Sequence, residues 1–376
     1  MSSSNGNRAL WIASYEEPAQ IIDLPIPDAP TGTVVVKILA APIVPYTHLF
    51  HSGKLQHVSL PPPYVPNPNA IGRVHKVGAD AVKVQEGDLV YIDATTRGRD
   101  DPGRMIMIGH IGGHGEDKKL TQEWRDGSLQ QYQKVPLENV YVLDEKRLCG
   151  ELGYDYGELH SIAHYSVAAG ALLEAADVKV AETVIIGPSG GSFGGVAVEI
   201  ALTAGANVIA LGRSENKLAA MRKKLNDHPR LKTIVMTGDE EADAAAIRSA
   251  TPNGTGAEIY NDWTPGELKN PPYLGAALRV LKREGRIILS GGASETLTIP
   301  YASFGIMNLK LQGKWMCERS TLEQLIRMME GGQLRIGKES GTELAVFTLD
   351  QHEEAIEHAR LNGGWRNYTV VAPNPW

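Results

Sequence analysis

The chain has 376 residues, of which 42% are hydrophobic and 22% charged, and its formal net charge is -7. That length exceeds one ordinary core and divides most simply into two domains, and the acidic balance argues against nucleic acid and anionic membrane as partners. The two cysteines, Cys149 and Cys317, are too few for a disulfide framework or a four-thiolate zinc site, so a reducing, cytoplasmic setting is expected. The opening stretch MSSSNGNRALWIASYEEP has too short an apolar run for a secretory core, and no later run reaches membrane-spanning length.

Along the first 150 residues, TVVVKILAAPIV, IGRVHKVGA and GDLVYIDA are β-branched runs broken by Pro, Gly and Asp. They predict a small barrel-like β fold. Residues 96–119, rich in Gly and charge, are expected to form an exposed lobe. From Ala181 the rhythm becomes strand, helix, strand: TVIIG, GGVAVEIALTAG, NVIALG, SENKLAAMRKKL, KTIVMTG, then AEIYND and GRIILSGG. Such alternation implies a parallel sheet with helices on both faces. One more strand, two amphipathic helices and a final strand, NYTVVAP, complete the chain.

The stretch TVIIGPSGGSFGG joins a strand to a helix through glycines. Unpaired amide N–H groups and the positive end of a helix dipole then face one point, which suits a pyrophosphate. Ser189, Gly190, Gly191, Ser192, Phe193 and Gly194 are the candidate cradle residues, and Gly291 lies on a later strand-end loop. The second strand ends at Gly212 and Arg213, 18 and 19 residues beyond Gly194, where dinucleotide folds read the ribose. An acidic residue there would favour NAD. Gly212 instead opens space and Arg213 supplies a cation for a 2′-phosphate, with Ser214 and Lys217 within reach, so NADPH is the expected cofactor. The plainer alternative makes Ser214 a helix N-cap and Arg213 a solvated charge.

The order of parts, with NAIGRVHKVGADAVKVQEGDLVYI in the β-rich half, resembles the medium-chain dehydrogenase/reductase superfamily. GPSGGSFGG and LQGKWM are similar to its zinc-independent, quinone-oxidoreductase-like branch. The resemblance implies a GroES-like catalytic domain over residues 1–150 and 305–376, and a Rossmann NADPH-binding domain over 151–304. It also implies a homodimer acting on a small-molecule substrate.

Zinc-dependent members of that superfamily carry a Cys-His-Thr-Asp run and then Gly-His-Glu. Here the corresponding stretches read PYTH, with Pro45 at the thiolate position, and NPN, with Pro68 and Asn69 in place of His and Glu. Pro cannot ligate a metal, so no metal site is expected. His48, His51 and His57 cluster in sequence, as do His110 and His114, without a Cys, Asp or Glu at ligand spacing. The first group reads as an active-site wall and the second as a solvated loop. Without a Lewis acid, hydrogen bonds must stabilise charge on the substrate oxygen. Tyr46, Thr47, His48, His51 and Tyr64 are the candidate catalytic residues, although buried packing is the plainer role for either tyrosine. The expected activity is NADPH-dependent hydride transfer to an enone or quinone. The alternatives are zinc-free reduction of a ketone or aldehyde and non-catalytic NADPH binding.

Overall fold

The computed structural model describes residues 6–55, 58–293 and 296–376, and its contacts divide the chain into two compact units. Unit 1 holds the residues up to Ala163 together with Ile336–Gly363 and Asn367–Trp376, and unit 2 holds His164–Arg335 and Gly364–Arg366. Residues 305–335, grouped above with the catalytic domain, pack with unit 2. His57 lies outside the described residues.

The chain begins with the antiparallel pair β1 (Gly6–Trp11) and β2 (Gln20–Pro25). There follow β3 (Thr33–Ile43), helix α1 (Thr47–His51), β4 (Ala70–Val77) and β5 (Leu89–Ile92). A hairpin of β6 (Thr95–Arg97) and β7 (Met105–Met107) leads to α2 (Lys118–Glu123), β8 (Tyr132–Pro136), β9 (Val140–Val142) and α3 (Tyr156–Leu159). The β-branched run of β3 explains its central place. Its first half pairs with β8, its later residues pair with a C-terminal strand, and β4 runs along its other edge with two register shifts. Bulges of this kind bend a sheet around its core. That core contains Val34, Val36, Ile38, Val90, Ile92 and Leu129, each worth about 1.5–3 kcal/mol when removed from water.

The stretch 96–119 departs from the exposed lobe expected. Thr96, Ile106, Ile108 and His110 are buried, because the hairpin folds its apolar side inward. His110 in particular is no solvated-loop residue. Its ring lies 3.8 Å from that of Phe50, centroid to centroid. His114 is exposed, with Nε2 at 2.9 Å from the Ser59 carbonyl oxygen.

Helix α4 (Ile162–Ala169) enters unit 2, where strands and helices alternate. They run β10 (Thr183–Gly187), α5 (Ser192–Thr203), β11 (Asn207–Gly212), α6 (Glu215–Lys224), β12 (Leu231–Val235) and α7 (Glu240–Ala250). Next come β13 (Ala257–Asp262), α8 (Leu274–Leu278), β14 (Leu281–Leu289), α9 (Tyr301–Met307), β15 (Lys310–Gly313) and α10 (Arg319–Glu330). The six strands form one parallel sheet in the order β12-β11-β10-β13-β14-β15. All five residues of β10 are buried, as expected of a central parallel strand. The chain then returns to unit 1 through β16 (Glu343–Thr348), α11 (His352–Asn362) and β17 (Asn367–Ala372). Strand β16, unremarked in the sequence, pairs in parallel with β17 at the sheet edge.

Candidate functional site

Strand order reverses between β10 and β13, the first leading to β11 on one side and the second to β14 on the other. Ligands of open α/β sheets bind outside the carboxyl ends of strands at such a point. The register sets Gly187 beside Asp262 and Asp262 beside Leu289, so these strand ends share one edge of the sheet. Every candidate cofactor residue follows one of them or the end of β11 at Gly212. The fold of unit 2 brings the whole set to one edge.

Helix α5 starts with Gly191 as N-cap, and no side chain caps its first amides. A Cβ placed on Gly190 or Gly191 would meet nothing within 4 Å, which leaves room for an anion against the backbone. Gly194 is confined. A Cβ there would overlap the Pro188 carbonyl oxygen, so only glycine lets the turn close. Ser189 is fully buried and its Oγ donates to the Leu211 carbonyl at 3.0 Å, tying the turn to β11. Ser192 and Phe193 open the helix, half-buried. The Phe193 ring stacks on Trp263 at 5.9 Å and lies 5.4 Å from His164, so its backbone is the part left to serve a ligand.

At the end of β11, Arg213 is exposed; burial raises the pKa of the nearby Tyr273 phenol, and the Arg213 charge works against that rise. Ser214 caps α6, its Oγ accepting from the Lys217 N–H at 3.4 Å, as the plainer alternative has it. The Ser214 hydroxyl proton and the exposed Lys217 ammonium are left to face a ligand. Gly291 backs directly onto the main chain of Thr264.

One group at this edge escaped the sequence reading. Asp262 is buried and accepts from Tyr260 Oη at 2.7 Å, Thr264 N–H at 3.0 Å and Thr264 Oγ1 at 2.9 Å. Burial raises its carboxyl pKa above the ordinary value against these donors. The Thr264 carbonyl in turn accepts from the Gly292 N–H at 2.7 Å, joining the ends of β13 and β14. AEIYND read only as a strand, because the polar tail of a strand gives no sign that its side chains fold back on themselves.

In unit 1 the candidate donors lie on and beside α1. Tyr46 is its N-cap residue, half-buried, with the phenol pushed up to about 12 by burial, so it stays protonated and able to donate. Thr47 is buried, and its Oγ1 accepts from the Val44 N–H at 3.1 Å, leaving the hydroxyl proton free to donate. His48 Nδ1 lies 3.1 Å from the Pro45 carbonyl oxygen. Burial, then the neighbouring His352, lowers His51 to about 4, and burial, then His51, lowers His110 to about 3. Both rings are neutral near pH 7. Tyr64 packs in a separate apolar cluster. It is 1% exposed, packed with Ile12 and Leu60, with its hydroxyl 3.4 Å from that of Tyr15. Burial and Tyr15 raise its pKa.

Asn69 is buried, and its Nδ2 donates to Tyr91 Oη at 2.8 Å and to the Ile92 carbonyl at 3.3 Å. Among the described residues no three His, Cys, Asp or Glu side chains group as a metal site.

Comparison with known proteins agrees with this architecture. Residues 30–145 match the family described as alcohol dehydrogenase GroES-like domain, and residues 193–331 match the family described as zinc-binding dehydrogenase. The chain belongs to the medium-chain dehydrogenase/reductase superfamily. As a member of that superfamily it is an oxidoreductase, a dehydrogenase/reductase that acts on small molecules with NAD(P)H. An alcohol dehydrogenase of Rhizobium meliloti (strain 1021) is 23% identical over 364 residues, covering 94% of this chain and 96% of its own. The 2-methylene-furan-3-one reductase of Solanum lycopersicum is 25% identical over 198 residues, 52% of this chain and 44% of its own. A solved structure titled crotonyl-CoA carboxylase/reductase superposes with a TM-score of 0.76 at 17% identity, covering 98% of this chain and 88% of that one. That likeness speaks for the fold. Among the described residues, no helix of this superfamily member is long and apolar enough to cross a membrane.

Proposed function

We propose that the protein is a zinc-independent, NADPH-dependent reductase that delivers hydride to the β-carbon of an enone or a quinone. The observation carrying this reading is the replacement of metal-ligand positions by Pro45, Pro68 and Asn69, with the Asn69 amide spent on Tyr91 and Ile92. These residues do not fit a tetrahedral zinc site, and no step here is routed through one.

Ser189 to Gly194 hold the pyrophosphate, Gly291 lines the strand-end loop, and Gly212, Arg213, Ser214 and Lys217 receive the 2′-phosphate. The exposed Arg213 guanidinium supports NADPH over NADH. The bound nucleotide supplies hydride. Tyr46 and Thr47 donate to the substrate oxygen as it gains charge. Conjugate reduction spreads that charge over an enolate, a load two hydroxyl donors can carry without a Lewis acid. His48, its Nδ1–H held by the Pro45 carbonyl, gives the enolate its Nε2 proton from the doubly protonated ring and regains one from solvent, and neutral His51 shapes the wall. Tyr64 serves as packing behind the loop. The partial likeness to a reductase named for a conjugated methylene ketone supports this choice.

Carbonyl reduction is the second reading, favoured by the near full-length likeness to an alcohol dehydrogenase. The test supplies a substrate bearing both an alkene and a carbonyl, with deuterium-labelled NADPH. Label on the β-carbon supports conjugate reduction, and label on the carbinol carbon overturns it. Near one zinc per chain by elemental analysis, with activity lost to chelator, overturns the zinc-free reading.

The same proposal includes a cytoplasmic homodimer whose nucleotide domain keeps residues 305–335, the stretch first grouped with the catalytic domain. Strand β15 lies at the sheet edge with all four residues exposed, and α9 beside it buries none of its seven. Tyr301 there is 91% exposed. A second copy would cover this face, and a monomer in sedimentation equilibrium counts against it.

A further inference from the structure

Three residues from near the C-terminus, Gly364–Arg366, pack with unit 2 although the chain on both sides of them belongs to unit 1. They lie along the helix that begins at the glycine turn. The Trp365 indole fills the space a Cβ on Gly195 would occupy, and its Nε1 donates to Glu199 Oε1 at 2.6 Å. Arg366 donates to the same carboxylate from Nη2 at 2.7 Å and from Nε at 3.2 Å, and its guanidinium lies 4.8 Å from the centre of the Trp365 ring. This ion pair is buried, with side chains 4% and 5% exposed. At the other end of the segment, a Cβ on Gly364 would stand 3.8 Å from the carbonyl oxygen of Gly190, inside the turn itself.

A buried ion pair is a poor source of net stability, because desolvation consumes most of its attraction. Its strength is geometric: a bidentate Arg–carboxylate contact admits one arrangement of the two chains that carry it. Here those chains are the helix of the phosphate turn and a strap reaching the rim of that turn. We infer that Glu199, Trp365 and Arg366 form a clamp that positions the nucleotide-binding turn, fixing Gly364 against Gly190 so that the cradle stands ready before NAD(P)H arrives. Glu199 sits two helical turns from the cradle and contacts no ligand. It is a positioning residue, and so are Trp365 and Arg366. Nothing in the glycine pattern announces them, since Glu199 occupies an otherwise apolar helix and GGWRN reads as a loop. The inference rests on NAD(P)H use alone and not on the choice of NADPH or on the absence of zinc.

The test measures the dissociation constants of NADPH and NADH with the full-length chain, well below its melting temperature. The variants are Trp365→Phe, Arg366→Lys and Glu199→Gln. Ile247→Val, in the unit 2 core and away from the turn, is a control that lowers stability alone. Clamp variants are expected to weaken both nucleotides in parallel, by about tenfold for Trp365→Phe, with the control unchanged. If Glu199→Gln fails to fold, the two conservative variants carry the test. Dissociation constants within twofold of the parent in Trp365→Phe and Arg366→Lys, with only the melting temperature lowered, overturn the inference. If the parent chain binds neither nucleotide, the clamp has nothing to position and falls as well. A parent that prefers NADH, with both affinities lost in the clamp variants, overturns the NADPH reading and leaves the clamp standing.

Discussion

The glycine turn at the start of α5 and the loop around α1 are the two regions that carry the proposed chemistry, and they are built in opposite ways. The turn presents main-chain amides, and its shape is held from behind by Ser189, Phe193 on Trp263, and Trp365 on Gly195. The α1 loop presents side chains from a helix of five residues, too short to stand without its surroundings. Backbone chemistry is indifferent to most substitutions except those that alter the path of the chain. Side-chain chemistry tolerates changes of path better than changes of a single hydroxyl. The two regions should therefore fail under different substitutions.

The largest effect is expected at Gly194. An added methyl would meet the Pro188 carbonyl, which cannot swing away, and displacing the turn by about 1 Å is enough to cost roughly a hundredfold in function. Gly194→Ala should lower the affinity for both nucleotides by at least about that factor in calorimetry. Gly190→Ala, where a methyl meets nothing, should leave unfolding free energy within about 0.5 kcal/mol of the parent. A loss of unfolding free energy in Gly190→Ala as large as that in Gly194→Ala would show that the turn is not held as described.

At α1 the expected damage is to turnover. Tyr46→Phe and Thr47→Val each remove one donor, and each should lower kcat by roughly a hundredfold while nucleotide affinity stays level. Thr47→Val also loses the bond from the Val44 N–H, about 1 kcal/mol of stability. Unchanged kcat in both variants would remove these donors from the mechanism.

Arg213→Ala sharpens the contrast from the other side, because it is a side-chain contact within the backbone-built region. Loss of about 1.5–3 kcal/mol, roughly ten- to more than a hundredfold in NADPH affinity, with NADH nearly unchanged, is the expected result. Parallel loss of both nucleotides would make Arg213 a support of the fold.

The smallest effect concerns pH. Burial holds His110, His51 and His160 neutral, lowered to about 3, 4 and 4, whereas an unfolded chain takes up protons on histidine near pH 6.5. The unfolded state then binds more protons between these values, so their contribution is complete above pH 6.5 and declines as pH falls toward 4 and 3. Melting temperature should drop across that window, and His110→Gln should flatten the drop. An identical profile in that variant would refute the assignment.

The parallel sheet and the place of the glycine turn between β10 and α5 were legible as sequence, because each depends on local rules: periodicity of two or 3.6 and glycine where backbone must approach closely. Strand β16, the burial of His110 and the Asp262 network were not, because no local pattern distinguishes a partly buried edge strand or an inward-facing loop from their exposed counterparts. Tyr46 and Tyr64 make the point within one unit. Both are tyrosines in proline-rich loops, yet one is half-buried at a helix cap and the other is sealed beside Tyr15, Ile12 and Leu60. The sequence by itself determined the alternating architecture and the residue types on offer at each strand end. Tertiary structure alone decided that Glu199 meets Trp365 and Arg366, 166 and 167 residues further along the chain, behind the turn. Burial of a charge is viable only where a distant partner arrives to neutralise it, and that arrival is a property of the folded chain.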